Sequence, residues 1–225
     1  MNVYLDKAIE NIGKSMVKCD NCCQGVNNDP GLGILPRCLF FDSNNNSDGK
    51  GCVVVGLNPG LSNEKERQYY LKHGCTYDAT MMFWEENIKE KHRYYSRLSK
   101  FINALGFYGS VLWTELVKCE QDKYWKGELP QQTFRICTSK YLNNEIEQIK
   151  ADWPIFAVGR ETYKALSYLF PQRPVLGVPH PTGSRGHFSH LFKNNRLRDT
   201  VIKMVNHAIN EDPPRADWIR IKDIS

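Results

Sequence analysis

The sequence lacks any hydrophobic run that approaches the roughly 20 apolar residues needed to cross a bilayer as a helix. Residues 1–17 carry acidic side chains within an apolar pattern and offer no small-residue cleavage site, so they do not resemble a signal peptide. Internal repeats are absent, and low complexity is confined to residues 44–46. We therefore expect a cytoplasmic protein in a reducing compartment.

The chain has no large excess of charge of either sign. Its 30 Lys and Arg residues and 25 Asp and Glu residues give a formal net charge of +5. That mild excess permits a polyanionic partner such as DNA without requiring one. With 225 residues, 41% hydrophobic and 24% charged, the chain is typical of a globular protein that has a sizeable core. We predict one domain over residues 1–211 and a C-terminal tail over 212–225.

Strand and helix patterns alternate along the chain. Short β-branched or apolar runs predict strands, and apolar residues at helical spacing predict helices. The predicted strands are 52–55, 111–114, 154–158 and 175–178, with 38–41 as a further candidate, and the predicted helices are 4–17, 95–105, 137–149, 161–169 and 197–208. Residues 62–90 allow no assignment. The alternation predicts an α/β fold with three layers, in which helices cover both faces of a mostly parallel four-stranded sheet.

Two turns follow predicted strands. Gly56-Leu57-Asn58-Pro59-Gly60 follows the first, and His180-Pro181-Thr182-Gly183 follows the fourth. Ligands of open α/β sheets bind beyond the carboxyl ends of the strands, so both turns are candidate sites. The Asn58 amide can donate and accept hydrogen bonds. The alternative is that both segments are ordinary turns, with His180 as a local cap.

Eight cysteines are many for a reducing compartment, and they suggest metal binding or catalysis before disulfides. Cys19 and Cys22 form a Cys-x-x-Cys pair, and Cys119 and Cys137 would complete a four-thiolate site. Such a site suits zinc or an iron–sulfur cluster. Cys23 can replace Cys22 in the register, and simple burial is the alternative for the two later thiols.

These motifs together resemble the iron–sulfur branch, often called family 4, of the uracil-DNA glycosylase superfamily. Its motif order is matched over roughly residues 5–208 by Cys19-Asp20-Asn21-Cys22, Gly56 to Gly60, Val117-Lys118-Cys119, Cys137-Thr138-Ser139-Lys140-Tyr141-Leu142, Gly159 and His180-Pro181-Thr182. The resemblance implies the glycosylase fold and a [4Fe–4S] cluster on Cys19, Cys22, Cys119 and Cys137, with zinc as the alternative.

The chain also departs from that branch. The Gly-Leu-Asn-Pro-Gly turn is similar to that of mismatch-specific uracil and thymine glycosylases, in which its third residue is the catalytic Asn, here Asn58. Glu115 stands where the branch usually has Asn. The aromatic residue that stacks on uracil does not align, and Phe83 or Trp84 are our candidates.

The resemblance implies a monofunctional DNA glycosylase that hydrolyses the N-glycosidic bond of uracil or a related damaged or modified base. Asn58 would orient water and His180 would donate to the base oxygen. Further substrate or DNA contacts are expected from Gly56, Pro59, Gly60, Phe83, Thr182 and Arg185, with His187 and Lys193 near phosphates. We expect a monomer whose partner is DNA and not a membrane. The alternatives are a non-catalytic DNA- or nucleotide-binding protein of the same fold and a zinc-stabilised α/β protein of unrelated function.

Overall fold

The computed structural model describes residues 3–20, 23–43, 49–182, 188, 195–211 and 213–219. Over these residues, eight α-helices are interspersed with eight strands. The helices are α1 (Val3–Met16), α2 (Glu64–His73), α3 (Tyr77–Phe83), α4 (Arg93–Ala104), α5 (Gln131–Cys137), α6 (Asn143–Glu147), α7 (Arg160–Leu169) and α8 (Asn195–Asn210). Within the same ranges, no helix is both long and apolar enough to cross a membrane.

A mostly parallel sheet forms the centre of the molecule. The strands are β1 (Val26–Asn27), β2 (Phe40–Asp42), β3 (Cys52–Gly56), β4 (Val111–Glu115), β5 (Glu120–Gln121), β6 (Ile155–Val158), β7 (Val175–Val178) and β8 (Ala216–Trp218). The order of the main sheet is β2-β4-β3-β6-β7-β8, and β2 is antiparallel to its neighbour. The four predicted strands are its parallel centre, which confirms the predicted fold class. The prediction of four strands is wrong, because β2 and β8 add one strand at each edge and make the described sheet six-stranded.

The sheet is buried on both faces because its strands alternate their side chains between two apolar clusters. In β3, Val54 faces one cluster, whereas Val53 and Val55 face the other. Helices α4 and α8 cover the first face, and α1, α6 and α7 contribute to the second. The fully buried, β-branched strands are those expected between two helical layers. The three-layer arrangement is therefore as predicted.

The carboxyl ends of the parallel strands meet at one edge of the sheet. The turn after β3 carries Asn58, β4 ends in Glu115, and the segment after β7 carries His180. Strand β6 separates β3 from β7, so two turns 122 positions apart in the chain come to the same edge. This edge is where an open parallel sheet places its ligand.

Several boundaries differ from the sequence predictions. Cys137 ends α5 instead of beginning a helix, because α5 starts directly after Pro130 and continues through a π-helical turn, Thr138–Leu142, into α6. Residues 62–90, which allowed no prediction, contain α2, α3 and a second π-helical turn, Trp84–Ile88. Within the predicted tail, β8 pairs in parallel with β7 and so extends the sheet.

Candidate active site

A cavity of about 330 Å³ opens at the carboxyl edge of the sheet. This volume falls at the lower end of the range typical of small-molecule sites. The residues that line it include Asn58, Tyr94, Tyr95, Glu115, His180 and Thr182. The structure thus brings together the two predicted catalytic residues, which sequence alone could only place at two separate strand ends.

Asn58 lies on the turn that extends β3. The β3–β4 pairing continues into this turn, because the Val117 amide donates to the Leu57 carbonyl at 3.0 Å. The Asn58 carboxamide nitrogen donates to the Pro59 carbonyl at 3.2 Å, and Pro59 and Gly60 line the same cavity. The amide is therefore held on its own turn, with Asn58 at the cavity wall.

Arg37 anchors that turn, although no sequence motif had identified it. Its guanidinium donates to the Gly60 carbonyl at 2.5 Å and forms ion pairs with Glu66 at 2.8 Å and Glu120 at 2.9 Å. Glu120 also accepts from the Ser62 amide at 2.7 Å. Charged hydrogen bonds of this kind are stronger than neutral ones, so a buried network of charged groups holds the turn that carries Asn58.

His180 reaches the cavity from the segment after β7. Its Nδ1 accepts from the Thr182 amide at 3.3 Å and lies 3.1 Å from the Thr182 hydroxyl, so we assign the proton of the neutral ring to Nε2. Partial burial lowers the pKa of His180 below its ordinary value. Arg97, from α4, donates to the Pro181 carbonyl at 2.5 Å. The site therefore presents a neutral imidazole on an anchored turn.

Two tyrosines of α4 supply the aromatic surface of the cavity. The Tyr94 ring lies 5.4 Å from the His180 ring, and the Tyr95 ring lies 5.0 Å from that of Tyr94. Burial raises the pKa of both phenols well above the ordinary value, so both stay protonated. Tyr95 begins the helix predicted over residues 95–105, and helical periodicity alone gave no sign that it lines a cavity.

The earlier aromatic candidates are elsewhere. Phe83 is buried on the opposite face of the sheet, where its ring packs near Tyr69 and Tyr70. Trp84 is fully buried and stacks on Phe40 at 4.9 Å. Neither lines the cavity. The predicted contacts Arg185, His187 and Lys193 lie outside the described residues.

Glu115 is one of the residues that line the cavity. Its side chain is almost fully buried, with 5% of the residue exposed, and its Oε2 has no hydrogen-bond partner in the described part of the chain. The carboxyl packs against Gly56, where a Cβ would overlap it. Burial raises the pKa of Glu115 to about 8, against the opposing effects of Lys118 and Arg37.

The ammonium group of Lys118 is already engaged beside this carboxyl. Its Nζ donates to Glu145 Oε2 at 2.8 Å, to the Thr114 hydroxyl at 2.6 Å and to the Glu115 backbone carbonyl at 2.7 Å. Lys118 and Glu145 are both buried. Because a lysine has three donors, these contacts use its full capacity, and none of them reaches the Glu115 carboxyl.

A second group of candidate residues lies at the end of α1. The Cys119 thiol interacts electrostatically with those of Cys19, Cys23 and Cys137, and burial raises the pKa of Cys119 and of Cys137. Cys23 also hydrogen-bonds to Cys137. The fourth predicted ligand, Cys22, lies outside the described residues. Three predicted ligands and the noted substitute thus lie near one another.

The donor chemistry of this group fits a metal that prefers thiolates. Four thiols from three chain segments suit zinc or an iron–sulfur cluster, whereas no carboxylate is among the thiol contacts described for Cys119. In the ranges that the structure describes, no three His, Cys, Asp or Glu side chains are arranged closely enough to hold a metal ion.

Comparison with known proteins gives a family match. The family model described as "Uracil DNA glycosylase superfamily" matches residues 45–205, well over half of the chain. The matched segment contains the turn of Asn58, the cavity residues of α4 and β4, and the turn of His180. No curated protein matches the chain.

Proposed function

Because the chain belongs to the uracil DNA glycosylase superfamily, we propose that it is a monofunctional DNA glycosylase acting on uracil or a related damaged or modified base in DNA. The observation that supports this most is the cavity shared by Asn58 and His180. A base within a duplex is inaccessible, so such an enzyme must flip its target nucleotide into a pocket. This cavity is the pocket that we assign to the flipped base.

Hydrolysis of the glycosidic bond develops positive charge on the sugar and negative charge on the departing base. We assign Asn58 the orientation of the attacking water, since an amide is too weak a base to remove its proton fully. His180 would donate from Nε2 to an oxygen of the base and so stabilise the developing charge. Its neutral state, held by burial and by the contacts of Thr182, is sufficient for that donation.

We further propose that Cys19, Cys119 and Cys137, with Cys22 or Cys23, hold a [4Fe–4S] cluster, with zinc as the alternative. Bound there, the group would supply a structural crosslink between the end of α1, the β4–β5 segment and α5. Cys22→Ser, Cys23→Ser and the control Cys75→Ser separate the two candidates by iron content and visible absorption. The ligand variant should lose iron, whereas Cys75→Ser should not. Colourless protein containing zinc would support the alternative.

The glycosylase proposal is tested with oligonucleotides that each contain one uracil or one other modified base. Asn58→Ala and His180→Ala should each reduce base release by about 10²–10³-fold, the typical cost of losing one transition-state contact. Matched controls are Asn103→Ala and His73→Ala, because both residues are exposed and neither lines the cavity.

Absence of abasic product from the wild type on every base tested would contradict the proposal. Tight binding of the modified DNA without any product would support instead the non-catalytic binding protein of the same fold. Binding is measured in parallel by fluorescence anisotropy on the same oligonucleotides, so that the two functions are distinguished, and the absence of both product and binding would contradict both.

A further inference from the structure

We propose that Glu115 reads the flipped base, and that the site takes a base with an amidine edge, a ring nitrogen beside an exocyclic amino group, as in cytosine-type bases. The inference rests on the proposed glycosylase function and names its substrate class. A uracil-type base instead presents a lactam edge, a ring N–H beside a carbonyl. The two classes therefore offer opposite hydrogen-bonding patterns to the same carboxyl.

The position of the Glu115 carboxyl group is the first observation that supports this inference. Glu115 lines the cavity together with Asn58 and His180, and its residue is 95% buried. Its Oε2 is without a hydrogen-bond partner in the described chain. A buried polar atom left unpaired is costly, so native structures normally provide a partner. Oε2 itself packs against Gly56, so a ligand in the cavity becomes its partner once the Glu115 side chain rotates toward the cavity.

The charged groups around Glu115 are the second observation that supports this inference. Lys118 is bound to Glu145, and Arg37 is bound to Glu66 and Glu120. The titratable groups that act on Glu115 or line its cavity are Arg37, Cys38, His92, Tyr94, Tyr95, Lys118 and His180. No cation is hydrogen-bonded to the carboxyl in the described structure, and burial raises its pKa to about 8. The group is thus mainly protonated near neutral pH.

A protonated carboxyl has one donor and one acceptor side by side. Against an amidine edge, its O–H donates to the ring nitrogen while its carbonyl accepts from the amino group, as Glu accepts from cytosine N4 in DNA readers. A lactam edge can also pair with a neutral carboxyl. Its carbonyl oxygen is a far weaker base than the ring nitrogen of cytosine, so proton transfer from Glu115 favours the amidine edge.

Proton transfer gives the carboxyl a chemical part in release. As the C1′–N1 bond breaks, its electron pair passes to the base, and the Glu115 proton passes to N3 of the cytosine ring. The base then leaves as a neutral tautomer instead of an anion. The water oxygen bonds to C1′, and the proton that this water loses returns to the Glu115 carboxylate through solvent. One water is consumed, and no other reactant is needed.

The test compares release of uracil, cytosine and 5-substituted cytosine from matched oligonucleotides between about pH 6 and 9. Glu115→Gln keeps a donor and an acceptor but cannot transfer a proton. It should reduce release of cytosine-type bases by about 10²-fold or more, as loss of general acid catalysis does. Uracil release should change less than about tenfold by the same criterion. Glu90→Gln, an exposed glutamate outside the cavity lining, is the control.

The wild type should release a cytosine-type base faster than uracil, and that rate should decrease as pH rises past about 8. Uracil release with no release from any cytosine-type base would overturn this inference and leave the glycosylase function intact. Equal rates for wild type and Glu115→Gln on cytosine would overturn it too. No release of any base would overturn both. If Glu115→Gln fails to fold, a wild-type cytosine rate that does not fall above about pH 8 overturns the inference.

Discussion

Two buried carboxylates, Glu120 and Glu115, lie five positions apart but differ in their surroundings. Glu120 accepts from Arg37 and from the Ser62 amide, and Arg67 lies within 3.7 Å. Glu115 has an oxygen without a partner in the described residues and faces a cavity. A buried charge is tolerated when it is paired and hydrogen-bonded. The comparison therefore separates a carboxylate that holds the turn of Asn58 from a buried carboxyl group that lacks such partners.

Removal of the Arg37 guanidinium from the network around Glu120 should have the largest effect on stability. Arg37→Met leaves Glu66 and Glu120 buried beside each other without their shared partner. We expect a loss of about 3–5 kcal/mol in the free energy of unfolding, measured by urea denaturation at pH 7. Arg160→Met, at an exposed arginine, is the control. A loss below about 1 kcal/mol would mean that the network does not hold the turn.

The unpaired carboxyl should show itself in the pH dependence of stability. The pKa of Glu115 is raised from 4.5 to about 8 by burial, so the folded chain binds this proton more tightly than the unfolded chain. Its contribution is complete below about pH 4.5 and is lost as pH rises toward 8.

Glu115→Gln removes that titration. Its stability relative to the wild type should increase with pH by a few kcal/mol between about pH 5 and 8, since one pKa unit corresponds to about 1.4 kcal/mol. Urea denaturation at several pH values measures the difference. A difference that stays constant with pH would show that the carboxyl is already paired.

Gly56→Ala should destabilise the protein through a steric clash between β3 and the Glu115 carboxyl group of β4. Residues 56 and 115 are cross-strand neighbours, and a Cβ at position 56 would overlap the Glu115 carboxyl. Overpacking of this kind typically costs about 1–3 kcal/mol. The double variant Gly56→Ala/Glu115→Ala should recover most of the loss in thermal denaturation. Additive losses would contradict the close contact.

Thr182→Val should have the smallest effect on the site. It removes the hydroxyl beside Nδ1 of His180 but keeps the backbone amide that donates to the same atom. One neutral hydrogen bond contributes about 0.5–1.5 kcal/mol, so we expect base release to decrease by no more than about tenfold. A decrease as large as that of His180→Ala would show that the hydroxyl, and not the amide, orients the ring.

Local chemistry explains what the sequence could predict. Asn58 and His180 were identifiable because each follows an apolar strand in a turn, and parallel strands bring such turns to one edge. The alternating patterns predicted the four central strands for the same reason. Arg37 was missed because its partners, Glu66 and Glu120, are distant in sequence. Tyr94 was missed because nothing in the periodicity of α4 separates an aromatic core residue from one lining a cavity.

Glu115 was noticed in the sequence as a departure from the family pattern, but its surroundings were not predictable. Glu115 has no hydrogen-bonded cation because Lys118 pairs with Glu145 instead. That pairing is determined by tertiary packing and cannot be deduced from the local sequence. Cys137 shows a related limit. The polar residues that begin α5 have weak apolar periodicity, so the predicted helix started at Cys137, six positions after the observed start at Gln131.

The short strand β8 has a practical consequence for anyone who shortens the chain. The family match stops at residue 205, yet Ala216–Trp218 pairs with β7, and Trp218 packs over Gly177 near the Tyr163 ring. A protein that ended at residue 205 would present the backbone of β7 to solvent as an unpaired sheet edge, open to pairing with other molecules. Self-association and weakened support for the imidazole turn should follow from the same cut.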